Sequence, residues 1–122
     1  LRYSMIAYWG LPSFNPVVMT CPTLLKMAAW GGANAIGKGD ILGAVEEGRK
    51  ADVILLNIDQ PHLTPTQNLI NTVVEAANGH DVTDSVINGK IVMKDREVLT
   101  LDEEKIRREA QIHMEEIIKR AY

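Results

Sequence analysis

Residues 43–59 read GAVEEGRKADVILLNID, and no other stretch limits the fold as tightly. Gly43 and Gly48 accept positive φ, so the backbone can reverse tightly at two points. Glu46, Glu47, Arg49 and Lys50 keep that reversal in water. Val53 to Ile58 is then an almost continuous apolar run of strand length, β-branched at Val53, Ile54 and Ile58. Such runs mark strands buried on both faces. The stretch predicts a hairpin-like turn that delivers the chain into a buried strand.

The flanking sequence fits helices on one side and short strands on the other. Leu1 to Trp9 has a helical look, with Met5, Ile6, Tyr8 and Trp9 on neighbouring turns, and Gly10 and Pro12 stop it. Ser13 to Pro16 reads as a turn. A second helix starts at Thr20 or Cys21, with Pro22 in its first turn, where a missing N–H costs little. Leu24, Leu25, Met27, Ala28 and Ala29 carry it. Gly31 and Gly32 weaken it by ~1 kcal/mol each relative to Ala, which predicts that another backbone packs close there. Gly37 is its C-terminal cap.

Beyond the apolar run, Pro61 and Pro65 predict an irregular crossing, and Asn68 to Ala77 a short helix. Asn78-Gly79 is a turn signal. Asp84 to Asn88 and Lys90 to Lys94 read as two strands around an Asn88-Gly89 hairpin turn, a strong short-range signal. Asp95-Arg96-Glu97 is a second polar turn, with a further strand at Val98 to Leu99. Thr100 to Glu103 has capping-box spacing. A final helix follows, with Ile106, Ala110, Met114, Ile117, Ile118 and Ala121 on one stripe. Its acids Asp102, Glu103 and Glu104 lie at the positive end, and Lys119 and Arg120 at the negative end.

Charge and composition exclude several function classes. With 13 basic and 16 acidic residues and no basic patch, nucleic acid is excluded as a partner. No run approaches the roughly 18 apolar residues of a membrane span. The single Cys21 rules out an internal disulfide framework and suits a reducing, cytoplasmic compartment. Opening on Leu1 inside an apolar segment, the chain reads as a fragment.

Candidate chemistry is sparse. His62, His80 and His113 are far apart, without His-x-His or His-Glu-x-x-His spacing, so they read as surface or packing histidines and not as metal ligands. His113 lies four residues after Glu109, a simple surface pair. Cys21 stands at a helix start but has no adjacent His, and buried packing is favoured over catalysis. NGHDVTD, Asn78 to Asp84, could be a small active-site loop using His80, Asp81 and Asp84. The favoured reading is a turn whose Asn and Asp side chains bond their own backbone. GGANAIGKGD, Gly31 to Asp40, lacks the spacing of a phosphate loop. Trp9, Trp30 and Tyr8 read as core aromatics. No residue is assigned a catalytic, cofactor-binding or metal-binding role.

Taken in order, KMAAWGGANAIGKGD, ILGAVEEGRKADVILLNID, PHLTP and EAANGHDVTDSVINGKIVMKDREVLTLDEEKI resemble the C-terminal part of amidohydrolase-superfamily enzymes. The similarity is greatest to the group of 5-methylthioadenosine/S-adenosylhomocysteine deaminases and to chlorohydrolase-like and guanine-deaminase-like proteins. It covers about Pro22 to Arg108. Gly43, Val45, Glu46, Gly48, Ala51 and Asp52 match the signature Gly-x-hydrophobic-Glu-x-Gly-Lys-x-Ala-Asp, with Arg49 in place of the Lys.

The resemblance implies an α+β fragment of a metal-dependent (β/α)8 barrel with a composite β-sandwich beside it. Residues 1–40 would be terminal barrel helices of an incomplete barrel, 41–100 sandwich strands and their connections, and 101–122 a C-terminal amphipathic helix. A barrel alone takes ~250 residues. The parent would then hydrolyse carbon–nitrogen bonds with a divalent metal, zinc or similar, by deaminating a purine-nucleoside-type or related heterocycle. The metal ligands would lie upstream of Leu1, and this segment would bind no metal and be inactive alone. Its partners would be the remaining N-terminal polypeptide, a small-molecule substrate in the parent and further copies in a homo-oligomer. The alternative is a non-catalytic, sandwich-like module for assembly or partner binding.

Overall fold

A computed structural model describes residues 19–121. The expected helix at Leu1 to Trp9 and the turn at Ser13 to Pro16 lie outside the described residues. The chain runs α1 (Cys21–Lys26), a π-helical turn (Met27–Gly31), α2 (Gly32–Ala35), β1 (Val53–Leu56), a 3-10 turn (Pro61–Leu63), α3 (Leu69–Glu75), a second 3-10 turn (Gly79–Asp81), β2 (Val82–Ile87), β3 (Lys90–Lys94), β4 (Glu97–Val98) and α4 (Glu103–Ala121).

The helical half begins as its residues dictate. Thr20 is the N-cap, and its hydroxyl accepts from the Thr23 N–H, with Pro22 in the first turn. The helix widens into the π turn and returns to α geometry. It ends where Gly37, at φ 68°, donates to Asn34 O at 2.9 Å while Lys38 N–H reaches Ala33 O at 2.8 Å. That pair of bonds is a Schellman ending, and only a residue at ease with positive φ closes it cheaply. Cys21 and Leu24 of α1 pack with Val74 of α3, with Met19 beside them. Leu63 and Ala33 are the other buried apolar side chains among the described residues.

The strands form one antiparallel sheet in the order β1-β2-β3-β4. Asn88 (φ 51°) and Gly89 (φ 77°) turn β2 into β3, as two positive-φ positions require. Asp95 (φ 47°) and Arg96 (φ 68°) turn β3 into β4 with the same geometry and no glycine. Each such L-residue costs about 1–2 kcal/mol, which the Arg96 N–H bond to Thr83 O at 2.8 Å helps to offset.

Five expectations need correction, the first that Trp30 is a core aromatic, because it is 44% exposed. The apolar run is a strand only at Val53–Leu56, and it is not buried on both faces: Ile54 is 58% exposed and Leu55 54%. Among the described elements, β1 pairs with β2 alone, and its faces are covered only in part, with Val53 and Leu56 half-buried. Gly31 and Gly32 are not approached by another described backbone. A Cβ at Gly31 would meet only atoms of its own helix, and one at Gly32 would meet nothing within 4 Å. Thr100 is not the cap of α4, because Asp102 accepts from Lys105 N–H at 2.9 Å. His113 faces Glu116 at 3.7 Å, while Glu109 faces Lys105. The stripe on α4 forms as expected, but no residue of the helix is buried.

Asp102→Ala should destabilise α4 by about 1 kcal/mol, whereas Thr100→Ala should cost no more than a few tenths. Thermal melts followed by helical circular dichroism test this, and equal losses from the two variants would restore Thr100 as the cap.

Candidate functional site

Two groups of polar residues stand out, the signature segment 43–52 and a histidine–carboxylate group around Asp81. In the first, Gly43, Gly48, Arg49 and Asp52 have structural tasks, while Val45 is 84% exposed. Gly43 (φ 87°) lies against the helix so closely that a Cβ would sit 2.7 Å from Trp30 Cα and 2.9 Å from Ala29 O. The close backbone contact expected at Gly31 and Gly32 is made one to two residues earlier, at Ala29 and Trp30, and its glycine is Gly43. Gly48 (φ 84°) completes a turn in which Arg49 N–H donates to Glu46 O at 3.2 Å.

Arg49 closes the loop. Its Nη1 donates to Gly39 O at 2.6 Å and to Leu42 O at 3.1 Å, and its Nε to Glu46 Oε2 at 2.7 Å. The Glu46 carboxylate is mostly exposed, so that ion pair contributes little. The bonds to carbonyls fix the loop, and the guanidinium fork makes all three at once where an ammonium is a single point. Asp52 then reaches across the sheet: its Oδ1 accepts from Asn88 N–H at 2.6 Å, while Ala51 O accepts from Gly89 N–H at 2.9 Å. The end of the signature thus holds the β2–β3 turn.

The second group links turns that are distant in sequence. Asp81 is buried, at 4% exposure. Its Oδ2 accepts from Asn78 N–H at 2.8 Å and lies 3.0 Å from His62 Nε2. Asn78 Oδ1 accepts from His80 N–H at 2.8 Å, which aims its amide nitrogen at His62 Nε2, 3.3 Å away. A nitrogen facing a carboxylate and an amide donor binds the carboxylate only when it carries a proton, so His62 donates from Nε2 to Asp81. The Asn78 backbone N–H, and after it the His62 hydrogen bond, hold the Asp81 carboxyl below its ordinary range. The Arg96 guanidinium donates to the His80 carbonyl and lies 3.4 Å from His80 Nδ1.

Asn78 and Asp81 form a capping box around the 3-10 turn, which is the side-chain-to-backbone bonding that the turn reading of NGHDVTD expects. Asp84 lies on β2 opposite Leu55 and takes no part in this hydrogen-bonded group. A carboxyl held ionised and occupied by two donors is a poor general acid. Cys21 is equally unsuited to nucleophilic work: burial first, and then the Sγ contact with Glu75 Oε1 at 3.4 Å, raise its pKa. Among the described residues no group of three or more His, Cys, Asp or Glu side chains could hold a metal ion. The Asn78–Asp81 box was legible as Asn-x-x-Asp spacing. The His62–Asp81, Asp52–Asn88 and Arg96–His80 contacts had no local signal.

Shallow clefts border these groups. A polar one of ≈ 330 Å³ is lined by His62, Thr64, Asn68, Asn71 and Glu75. An apolar one of ≈ 360 Å³ lies between Ala29, Ala33 and Ile36 on the helix and Leu42 to Val45 on the loop.

Residues 5–92 match the amidohydrolase family. The chain is 46% identical over 94 residues to a 5-methylthioadenosine/S-adenosylhomocysteine deaminase of Desulforamulus reducens, covering 77% of this chain and 22% of that protein. It is 47% identical over 97 residues to the deaminase of the same name from Pelotomaculum thermopropionicum, covering 80% and 22%. Among solved structures, an adenosine deaminase from Xanthomonas campestris with bound zinc superposes with a TM-score of 0.78 at 30% identity, over 82% of this chain and 23% of that one. The zinc complex of atrazine chlorohydrolase from Arthrobacter aurescens gives 0.69 at 25% identity, over 76% and 20%. The chain thus spans between a fifth and a quarter of the length of these proteins.

Gly43→Ala should lower stability by about 2–5 kcal/mol, since it adds a Cβ at positive φ and overpacks the helix backbone. Gly32→Ala, at helical φ in open space, should raise it by up to ~1 kcal/mol. Urea denaturation of the two variants checks the opposite signs, and a harmless Gly43→Ala would refute the close contact. Asp81 is more acidic folded than unfolded, so it stabilises the fold above about pH 4. That stabilisation is lost as pH falls through its lower folded value. The urea midpoints of the wild type and Asp81→Asn should therefore differ most near neutrality and converge in acid. A gap unchanged by pH would show that the carboxylate charge is irrelevant.

Proposed function

The chain belongs to the amidohydrolase family, and from that premise we propose that it is the C-terminal part of a hydrolase acting on carbon–nitrogen bonds other than peptide bonds. The reaction we assign to the parent is hydrolytic deamination of a purine-nucleoside-type substrate or a related heterocycle. The observation that carries this reading is the continuous similarity, at up to 47% identity, to proteins named as deaminases of 5-methylthioadenosine and S-adenosylhomocysteine.

On this reading residues 1–40 close the barrel, 41–100 belong to the sandwich-like domain, and 101–122 form the terminal helix. The described residues do not fit a metal site. On this reading the counterpart of the zinc named for two of the related structures lies upstream of Leu1 in the parent, and no step of the reaction is assigned to residues of this segment. What the segment supplies is a scaffold: Gly43 and Arg49 fix the helix against the loop, and Asp52 fixes the loop to the sheet. The N-terminal polypeptide is its first partner, and the parent is a cytoplasmic homo-oligomer. Among the described residues no helix is long and apolar enough to cross a membrane.

The test compares the parent polypeptide with the 122-residue chain. The parent should contain zinc or a similar divalent ion and release ammonia from 5-methylthioadenosine, S-adenosylhomocysteine or adenosine. The short chain should do neither. Stoichiometric zinc in the short chain would overturn the assignment of the metal to the upstream part. A zinc-loaded parent inert toward all three nucleosides would overturn the substrate class.

A further inference from the structure

We draw no further inference here: the strongest candidate, the apolar stripe of Ile106, Ala110, Met114, Ile117 and Ile118 along α4, carries nothing, because nothing in the structure shows whether the upstream polypeptide or a second copy covers it.

Discussion

The contact of the Gly43 backbone with the helix at Ala29 and Trp30 is the constraint from which the rest of the described architecture follows. Any side chain at Gly43 would push the loop off the helix. With hydrogen there, the loop lies flat, and Arg49 can reach Gly39 O and Leu42 O from within it. The loop then arrives at β1 with Asp52 placed to take the Asn88 N–H. A helix, a loop and a hairpin turn are joined by three residues within ten positions of one signature. This explains the pattern of types: a glycine for approach, a guanidinium for several carbonyls, and a short carboxylate for one exposed N–H.

The same economy explains the bonding of the histidine–carboxylate group. Asp81 is buried, and a buried carboxylate needs donors. It has two, Asn78 N–H and His62. His80 is tied through its N–H to Asn78 and through its carbonyl to Arg96. The strained turn at Asp95 and Arg96 is held by these contacts, so the group joins the start of β2 to the β3–β4 turn. Asn78, His80 and Asp81 supply the bonds that close this turn.

How much of this was legible depended on the range of the interaction. Asn88-Gly89 was readable because two consecutive positive-φ positions demand those residues. Pro22 and the Thr20 cap were readable because a helix start is a local problem. Gly31 and Gly32 misled for a definite reason: a glycine shows that a backbone is permissive, and not which residue makes use of it. Thr100 stands three residues before Glu103 and Asp102 three before Lys105, and only the path of the chain decides which one meets the first free N–H. His62 and Asp81 are 19 residues apart, and no periodicity links a 3-10 turn before α3 to one after it. The α+β class and the antiparallel strands were legible for the local reasons, and the links between turns were not.

The misjudged strand is the most informative error. An apolar run such as Val53 to Ile58 encodes the burial it needs, and Ile54 and Leu55 lie half exposed because no described element covers them. Ile87 and Ile91 are also about half exposed, as are the isoleucines of α4. Each of these side chains forgoes part of the roughly 1.5–3 kcal/mol that full burial of an aliphatic side chain contributes. Against them stands a small core of Cys21, Leu24, Ala33, Leu63 and Val74. A sequence that places β-branched residues on both faces of a strand needs more apolar cover than the described residues give it. The chain spans only 22% of the length of the deaminases it resembles, and its described residues supply too little apolar cover to bury both faces of β1.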